Sequence, residues 1–302
     1  MGVKYAGGLA LGLLYLCPGF AAAPPGSRDA RLGDVAFRSH GVTLAGSLAL
    51  PSHGEPRAAV VFIHGSGKQT RNLQWARRFA EAGIAALVYD KRGAGKSGGD
   101  YEGEQSVSEK NISLLADDAA AAFDALASRP ELRHTPIGFA GISQAGWIAP
   151  LAAQRRHAAS FLVLWSGPVC KVSEEDIYSI FTKDADVLAA PAPTYQQALA
   201  SRTALYVWPD FLGVDTDSAE ILKSLSIPGL WIFGDHDGSI PVDLSLERLT
   251  ALRRAGHHYD YVLSSGLGHN NMDATFRVAA DWIRQLATKP ATDGATRSAT
   301  RQ

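Results

Sequence analysis

The sequence predicts an α/β fold, a mostly parallel sheet with helices on both faces. Three observations predict it. Continuous apolar runs occupy residues 58–63, 84–89 and 136–142, which suits strands buried on both faces. Segments with helical spacing separate them, at residues 72–82, 106–127 and 144–154. Each run ends in polar and glycine-rich residues, and sites in such sheets form at the carboxyl ends of the strands. Strict alternation of strand and helix implies right-handed crossovers.

The chain has 302 residues, a formal net charge of -1 and 46% apolar residues, enough for a sizeable core. The near-neutral balance gives no reason to expect nucleic acid or a membrane surface as partner. Cys17 and Cys170 make no disulfide framework.

Residues 1–23 read as a secretory signal. Lys4 supplies the positive start, residues 6–16 the apolar core, and Ala21 or Ala22 a small residue at the cleavage point. That core is too short to span a membrane. Lipoprotein anchoring at Cys17 is disfavoured by bulky Leu16 before it and Pro18 after it. The expected compartment is periplasmic or extracellular, and Cys170 is then a lone thiol, read as a small buried hydrophobe.

Residues 24–34 are expected to be a linker. Residues 35–50 read as two strands around the turn Ser39-His40-Gly41. Ala58–Ile63 is a strand ending in His64-Gly65-Ser66-Gly67. The helix over 72–82 carries Leu73, Trp75, Ala76, Phe79 and Ala80 on one side and stops at Gly83. Ile84–Tyr89 is a strand running into Asp90-Lys91-Arg92-Gly93-Ala94-Gly95-Lys96-Ser97. After the alanine-rich helix over 106–127 comes the strand that leads to Ser143, then a helix, then a strand over 161–165.

There the alternation stops. Residues 169–227 hold no clear buried strand and are expected to form a helical cap set into the sheet domain. The pattern resumes at 228–233, followed by Asp235, His236 and Asp237. A helix covers 243–255, a last strand 258–264, and a terminal amphipathic helix 273–287. Residues 288–302 are expected to be disordered.

The chemistry is expected around Gly141-Ile142-Ser143-Gln144-Ala145-Gly146. An apolar strand leads into the serine and a helix of small residues leaves it. A nucleophile elbow has this shape, because its strained turn needs small neighbours two residues before and after. Gly141 and Ala145 fill those places. A serine hydroxyl is a poor nucleophile unless a base takes its proton, and the base needs a carboxylate to hold its tautomer. His269 follows the last strand in a glycine-rich loop and is the candidate base. His257 and His258 precede that strand and fall at the opposite edge. Asp235 and Asp237 are both candidate acids; Asp237 is favoured because it sits deeper in its turn. The backbone N–H groups of Gln144 and Ser66 are the candidate donors to a tetrahedral oxyanion, each typically worth roughly 3–4 kcal/mol.

Together these pieces resemble the α/β-hydrolase family over residues 35–287. Asp90-Lys91-Arg92-Gly93-Ala94-Gly95-Lys96-Ser97 is similar to the D-x-R-G-x-G-x-S loop of capped bacterial members, which include carboxylesterases, acyl-peptidase-like and dienelactone-hydrolase-like enzymes. The resemblance implies an eight-stranded sheet with a lid after the sixth strand. It implies Ser143 as nucleophile, Asp237 as acid and His269 as base. Ala145 is a departure where glycine is usual. Asp90 and Arg92 are expected to pair and to organise their loop.

Three readings follow. The first is a hydrolase of small carboxylic esters with an acyl-enzyme intermediate. The second is an aminopeptidase-like or lactone hydrolase, in which Glu174, Glu175 and Asp176 would grip a substrate amine. The third is a binding protein of hydrolase fold. Phe181, Tyr195, Tyr206, Trp208 and Phe211 in the cap segment favour an apolar acyl group if they lie over the serine. No cofactor or metal is expected: there is no HExxH or cysteine cluster, and the Gly-Lys-Ser at residues 95–97 lacks the spacing of a phosphate-binding loop.

Overall fold

The computed structural model describes residues 30–103 and 106–288. The leader at 1–23, the linker residues 24–29 and the tail from 289 onward lie outside the described residues.

The first two strands are β1 (Arg31–Ser39) and β2 (Val42–Leu50), joined by a two-residue turn. His40 and Gly41 both have positive φ, 48° and 75°. Turns of this hand match the right-handed twist of the flanking strands. β1 starts at Arg31, so residues 31–34, expected as linker, are strand. They pair with residues 47–50 of β2, and that ladder satisfies backbone groups that the local composition does not betray.

The strands β3 (Ala58–Ile63), β4 (Ile84–Tyr89), β5 (Ile137–Ile142), β6 (Leu162–Trp165), β7 (Gly229–Gly234) and β8 (Tyr259–Ser264) follow. All eight form one sheet in the order β1-β2-β4-β3-β5-β6-β7-β8. β1 and β2 are antiparallel additions at one edge; the other six run parallel. The reversal of order around β3 is the switch point that opens a crevice at the carboxyl ends.

The helices are α1 (Leu73–Glu81), α2 (Glu109–Ala127), α3 (Ala145–Arg155), α4 (Val172–Thr182), α5 (Tyr195–Ala200), α6 (Ser218–Leu222), α7 (Val242–Arg254) and α8 (Met272–Thr288). Alternate residues of β3 supply the two faces of the sheet. Ala59, Val61 and Ile63 pack under α2, α3 and α7. Ala58, Val60 and Phe62 pack under α1 and α8. The two periods, 2 along the strand and 3.6 along the helix, thus close both layers. Phe79 of α1 and Phe276 of α8 meet edge to face at 5.0 Å.

Helix ends follow their caps. α2 begins at Glu109 because the Ser108 hydroxyl accepts the N–H of Asn111 at 3.2 Å. α8 runs on through Thr288, one residue into the stretch expected to be disordered.

Residues 169–227 carry α4, α5, a 3-10 turn and α6. Ile177, Tyr178, Tyr195 and Ala198 form a small apolar cluster there, with Tyr206 and Leu244 of α7 packed against it. Among the described residues no helix is long and apolar enough to cross a membrane.

Candidate active site

Ser143 stands between β5 and α3 with φ of 56°, a left-handed conformation rare for a residue with a side chain. Its N–H donates to the carbonyl of Trp165 at 2.9 Å, and its carbonyl accepts from Gly146 at 2.8 Å. The neighbours must be small for concrete reasons. A Cβ on Gly141 would meet the Cβ of Ala145 at 2.5 Å, and one on Gly146 would meet Cδ of Pro168 at 2.5 Å. Ala145 is therefore tolerated because Gly141 yields the space.

The loops after β7 and β8 bring Asp237 and His269 together. Nδ1 of His269 lies 3.1 and 3.0 Å from the two carboxylate oxygens of Asp237. Asp237 is fully buried, and its Oδ1 also accepts the N–H groups of Ser239 and Ile240 at 2.8 and 3.2 Å. Asp235 is turned elsewhere, accepting the N–H of Gly266 at 2.6 Å. Burial pulls the His269 pKa down. The hydrogen bond and charge of Asp237, with the charges of Asp184 and Asp186, outweigh it and hold the pKa above the ordinary 6.5.

Ser143 and His269 line one cleft of about 560 Å³, together with His64, Gly65 and Ser66 from the loop after β3. Gly65 abuts the candidate nucleophile, since a Cβ there would sit 3.3 Å from Cβ of Ser143. Gln144 does not line the cleft. It is buried at the head of α3, its side chain turned toward Lys91 and Ser106. His64 is a loop-shaping residue: its Nε2 lies 2.7 Å from the Tyr89 carbonyl oxygen. Burial, assisted by the nearby Lys91 charge, lowers its pKa to about 4, so it is neutral near pH 7.

Several expectations for the surroundings are corrected. Asp90 does not pair with Arg92. Arg71 takes both Asp90 oxygens, at 3.1 and 3.0 Å, while Arg92 pairs with Asp118 of α2. The two partners lie on elements that only the fold brings near. None of Phe181, Tyr195, Tyr206, Trp208 and Phe211 lines the cleft. Tyr195 and Tyr206 belong to the small apolar cluster around Tyr178, Trp208 packs on the main core, and Phe181 and Phe211 are exposed. Phe62, Trp75 and Trp147 are the aromatic residues of the cleft wall. The acidic trio splits too. Glu174 binds Arg248 at 2.6 Å, and Asp176 accepts the Tyr206 hydroxyl. Glu175 alone of the three faces the cleft. Burial, then the charges of Asp176, Asp184 and Asp237, push its pKa well up.

Three neighbours of the candidate site carry no motif in the sequence. Ser166, with φ of 44°, donates its hydroxyl to the His269 carbonyl at 2.8 Å. Asn271 donates to the same hydroxyl at 3.0 Å. Residues 184–186 lie over both loops: the N–H of Gly238 donates to the Ala185 carbonyl at 3.0 Å, and Asn270 binds the Asp186 carboxylate at 2.8 Å. Gly268 is glycine because the Asp186 carbonyl occupies the place of a Cβ. Position at a strand end is the signal that marks Ser166. Cys170 is fully buried, and burial raises its thiol pKa. Among the described residues no group of three or more His, Cys, Asp or Glu could hold a metal ion.

An eight-stranded, mostly parallel sheet with a sharp serine turn before a helix defines the α/β-hydrolase class. The chain belongs to the family described as serine aminopeptidase, S33, whose model matches residues 54–222. Ser143 lies inside that match; Asp237 and His269 lie beyond it. A polyketide transferase of Penicillium crustosum is 36% identical over 129 residues, 43% of this chain. The matched part spans 40% of that relative's length. Among solved structures, an esterase of Pyrococcus furiosus has a TM-score of 0.62 and 16% identity, covering 89% of this chain and 94% of its own. A dienelactone hydrolase of Anabaena variabilis has a TM-score of 0.55 and 20% identity, covering 85% and 98%. At such identities these structures establish the fold alone.

Proposed function

We propose that the protein is a serine hydrolase that cleaves small carboxylic esters through an acyl-enzyme, with Ser143 as nucleophile, His269 as base and Asp237 as its orienting acid. The observation that carries this is the shared cleft: Ser143 on a strained turn and His269 borne by a buried carboxylate both open into it. In this reading His269 takes the Ser143 hydroxyl proton as Oγ attacks the ester carbonyl. The oxyanion is held by the N–H groups of Ser66 and Gln144. His269 then protonates the departing alcohol, and water attacks the acyl-enzyme by the same route in reverse. Residues 169–227 serve as the cap over this site, and residues 1–23 direct export to the periplasm or beyond.

A second reading has a specific observation behind it. Glu175, Asp184, Asp186 and Asp273 line the same cleft. Burial favours the neutral acid at Glu175, and Asp273 pairs with Arg78, so Asp184 and Asp186 are the carboxylates that favour a cationic substrate, as in an aminopeptidase-like hydrolase, and disfavour an anionic lactone. The polar cleft leaves room for both neutral and cationic acyl groups, and the ester reading stands first because an alcohol leaves a tetrahedral intermediate more readily than an amine and so asks less of the same histidine.

The deciding experiment is a panel of matched substrates on the purified protein: neutral aryl esters, amino-acid arylamides and lactones, with a fluorophosphonate probe run alongside. Ester turnover with a single labelled serine is expected. Absence of both turnover and labelling would return the chain to the class of binding proteins.

A further inference from the structure

Lys91 is a buried cation that the triad reading leaves unused. It follows β4 directly and is 4% exposed. Its neighbours in sequence spend their charge elsewhere, Asp90 on Arg71 and Arg92 on Asp118. Among the described residues Lys91 forms no salt bridge. Its ammonium instead donates to three neutral oxygens: the carbonyls of Gly65 at 2.7 Å and Gly67 at 3.2 Å, and Oε1 of Gln144 at 2.9 Å. An ammonium has three donors, and all three are used. Burial without a carboxylate partner is costly, and it lowers the Lys91 pKa to about 8.

The three acceptors lie on the two loops whose amides are read as oxyanion donors. The Gly65 carbonyl and the Ser66 N–H belong to one peptide plane. That peptide is trans, so the two groups point in opposite directions. Drawing the carbonyl toward Lys91 aims the N–H the other way. Ser66 lines the cleft and Lys91 does not. The third bond holds the Gln144 side chain away from the cleft, leaving its backbone N–H at the head of α3 for the oxyanion.

We propose that Lys91 is the positioning residue of the oxyanion hole, its buried ammonium setting the Gly65–Ser66 peptide plane and locking the loop after β3 to Gln144. The cation also polarises the Gly65–Ser66 peptide, which strengthens its N–H as a donor. This inference rests on the assignment of Ser66 and Gln144 to the oxyanion. Preorganised donors of this kind act on the transition state rather than on substrate binding.

The test uses Lys91→Met, nearly isosteric and uncharged, and Lys91→Gln, which keeps a donor. Steady-state kinetics on p-nitrophenyl butyrate and inhibition by a trifluoromethyl ketone are read against thermal unfolding. The expected result is a fall in kcat of about 10²-fold in Lys91→Met, with KM within about threefold. Affinity for the ketone, which forms a tetrahedral adduct, falls in step with kcat. Lys91→Gln falls between the wild type and Lys91→Met, and should one variant not fold, the other decides. Unchanged kcat, or a loss confined to KM or matched by lost folded protein, overturns the proposal. Failure of the wild type itself to turn over the ester would instead strike the serine-hydrolase reading.

Discussion

The backbone N–H of His269 donates to the carbonyl of Asp186 at 2.7 Å. This bond ties the segment between β6 and β7 directly to the loop that carries the candidate base. The same short stretch brings the carboxylates of Asp184 and Asp186 into the cleft. Their charges join that of Asp237 in holding His269 protonated to higher pH than usual. A base must be neutral to act, so activity rises as His269 loses its proton. The acid limb of kcat/KM is expected above the ordinary 6.5. Asp184→Asn removes one negative charge and keeps an acceptor for the Ser239 hydroxyl. Its limb should move to lower pH in a pH–rate profile; a limb that stays or moves up contradicts the electrostatic account.

Removal of the proposed nucleophile should abolish nearly all turnover. Ser143→Ala is expected to lower kcat by about 10⁴–10⁶-fold and to abolish labelling by a fluorophosphonate. Intact-mass measurement checks this, and an adduct on another serine of the variant would reassign the nucleophile.

The two aspartates after β7 should separate cleanly. Asp237→Asn deprives His269 of its orienting carboxylate and should cost about 10³–10⁴-fold in kcat. Asp235→Asn alters a bond to the Gly266 amide and a 3.7 Å contact with His236 and should stay within about tenfold by the same reasoning. Parallel kinetics on one ester decide, and reversed sizes would make Asp235 the acid.

Glu175 separates the two substrate readings. Neutral esters should be turned over by Glu175→Gln within about threefold of the wild type, since a raised pKa already favours the neutral acid. A substrate with a free amine would lose at least about tenfold in kcat/KM if it needs this carboxylate, roughly 1.4 kcal/mol. Phe181→Ala and Phe211→Ala, both exposed and outside the cleft, should leave ester kinetics unchanged.

The Arg92–Asp118 pair tests the scaffold rather than the chemistry. Both side chains are buried, and Arg92 Nε donates to Asp118 at 3.0 Å. Arg92→Met strands a buried carboxylate and should destabilise the fold by about 3–5 kcal/mol. Urea unfolding measures it. A loss below about 1 kcal/mol would place the pair with weak surface bridges.

Much of the architecture is written in local pattern. The apolar runs before His64, Asp90 and Ser143 mark buried strands, because a strand covered on both faces needs no polar residue until its end. The chain ends of those strands then coincide with the crevice. The elbow is legible for the same reason: the steric demand at Ser143 is met by Gly141, two residues away, and Gly146, three away. Interactions decided within a few residues leave a trace in the sequence around them.

What the tertiary structure alone decided is which distant groups meet. Arg92 finds Asp118 rather than its near neighbour Asp90, and Lys91 finds Gly65, Gly67 and Gln144 rather than any carboxylate. The aromatics between β6 and β7 turn inward or to solvent while Glu175 faces the cleft. These choices follow from crossover connections that bring strand ends tens of residues apart to one edge of the sheet. Burial then makes each pairing compulsory, because a polar group removed from water must take whatever partner the packing presents. The strands and the serine turn come from neighbouring residues; the partners around them come from the sheet order.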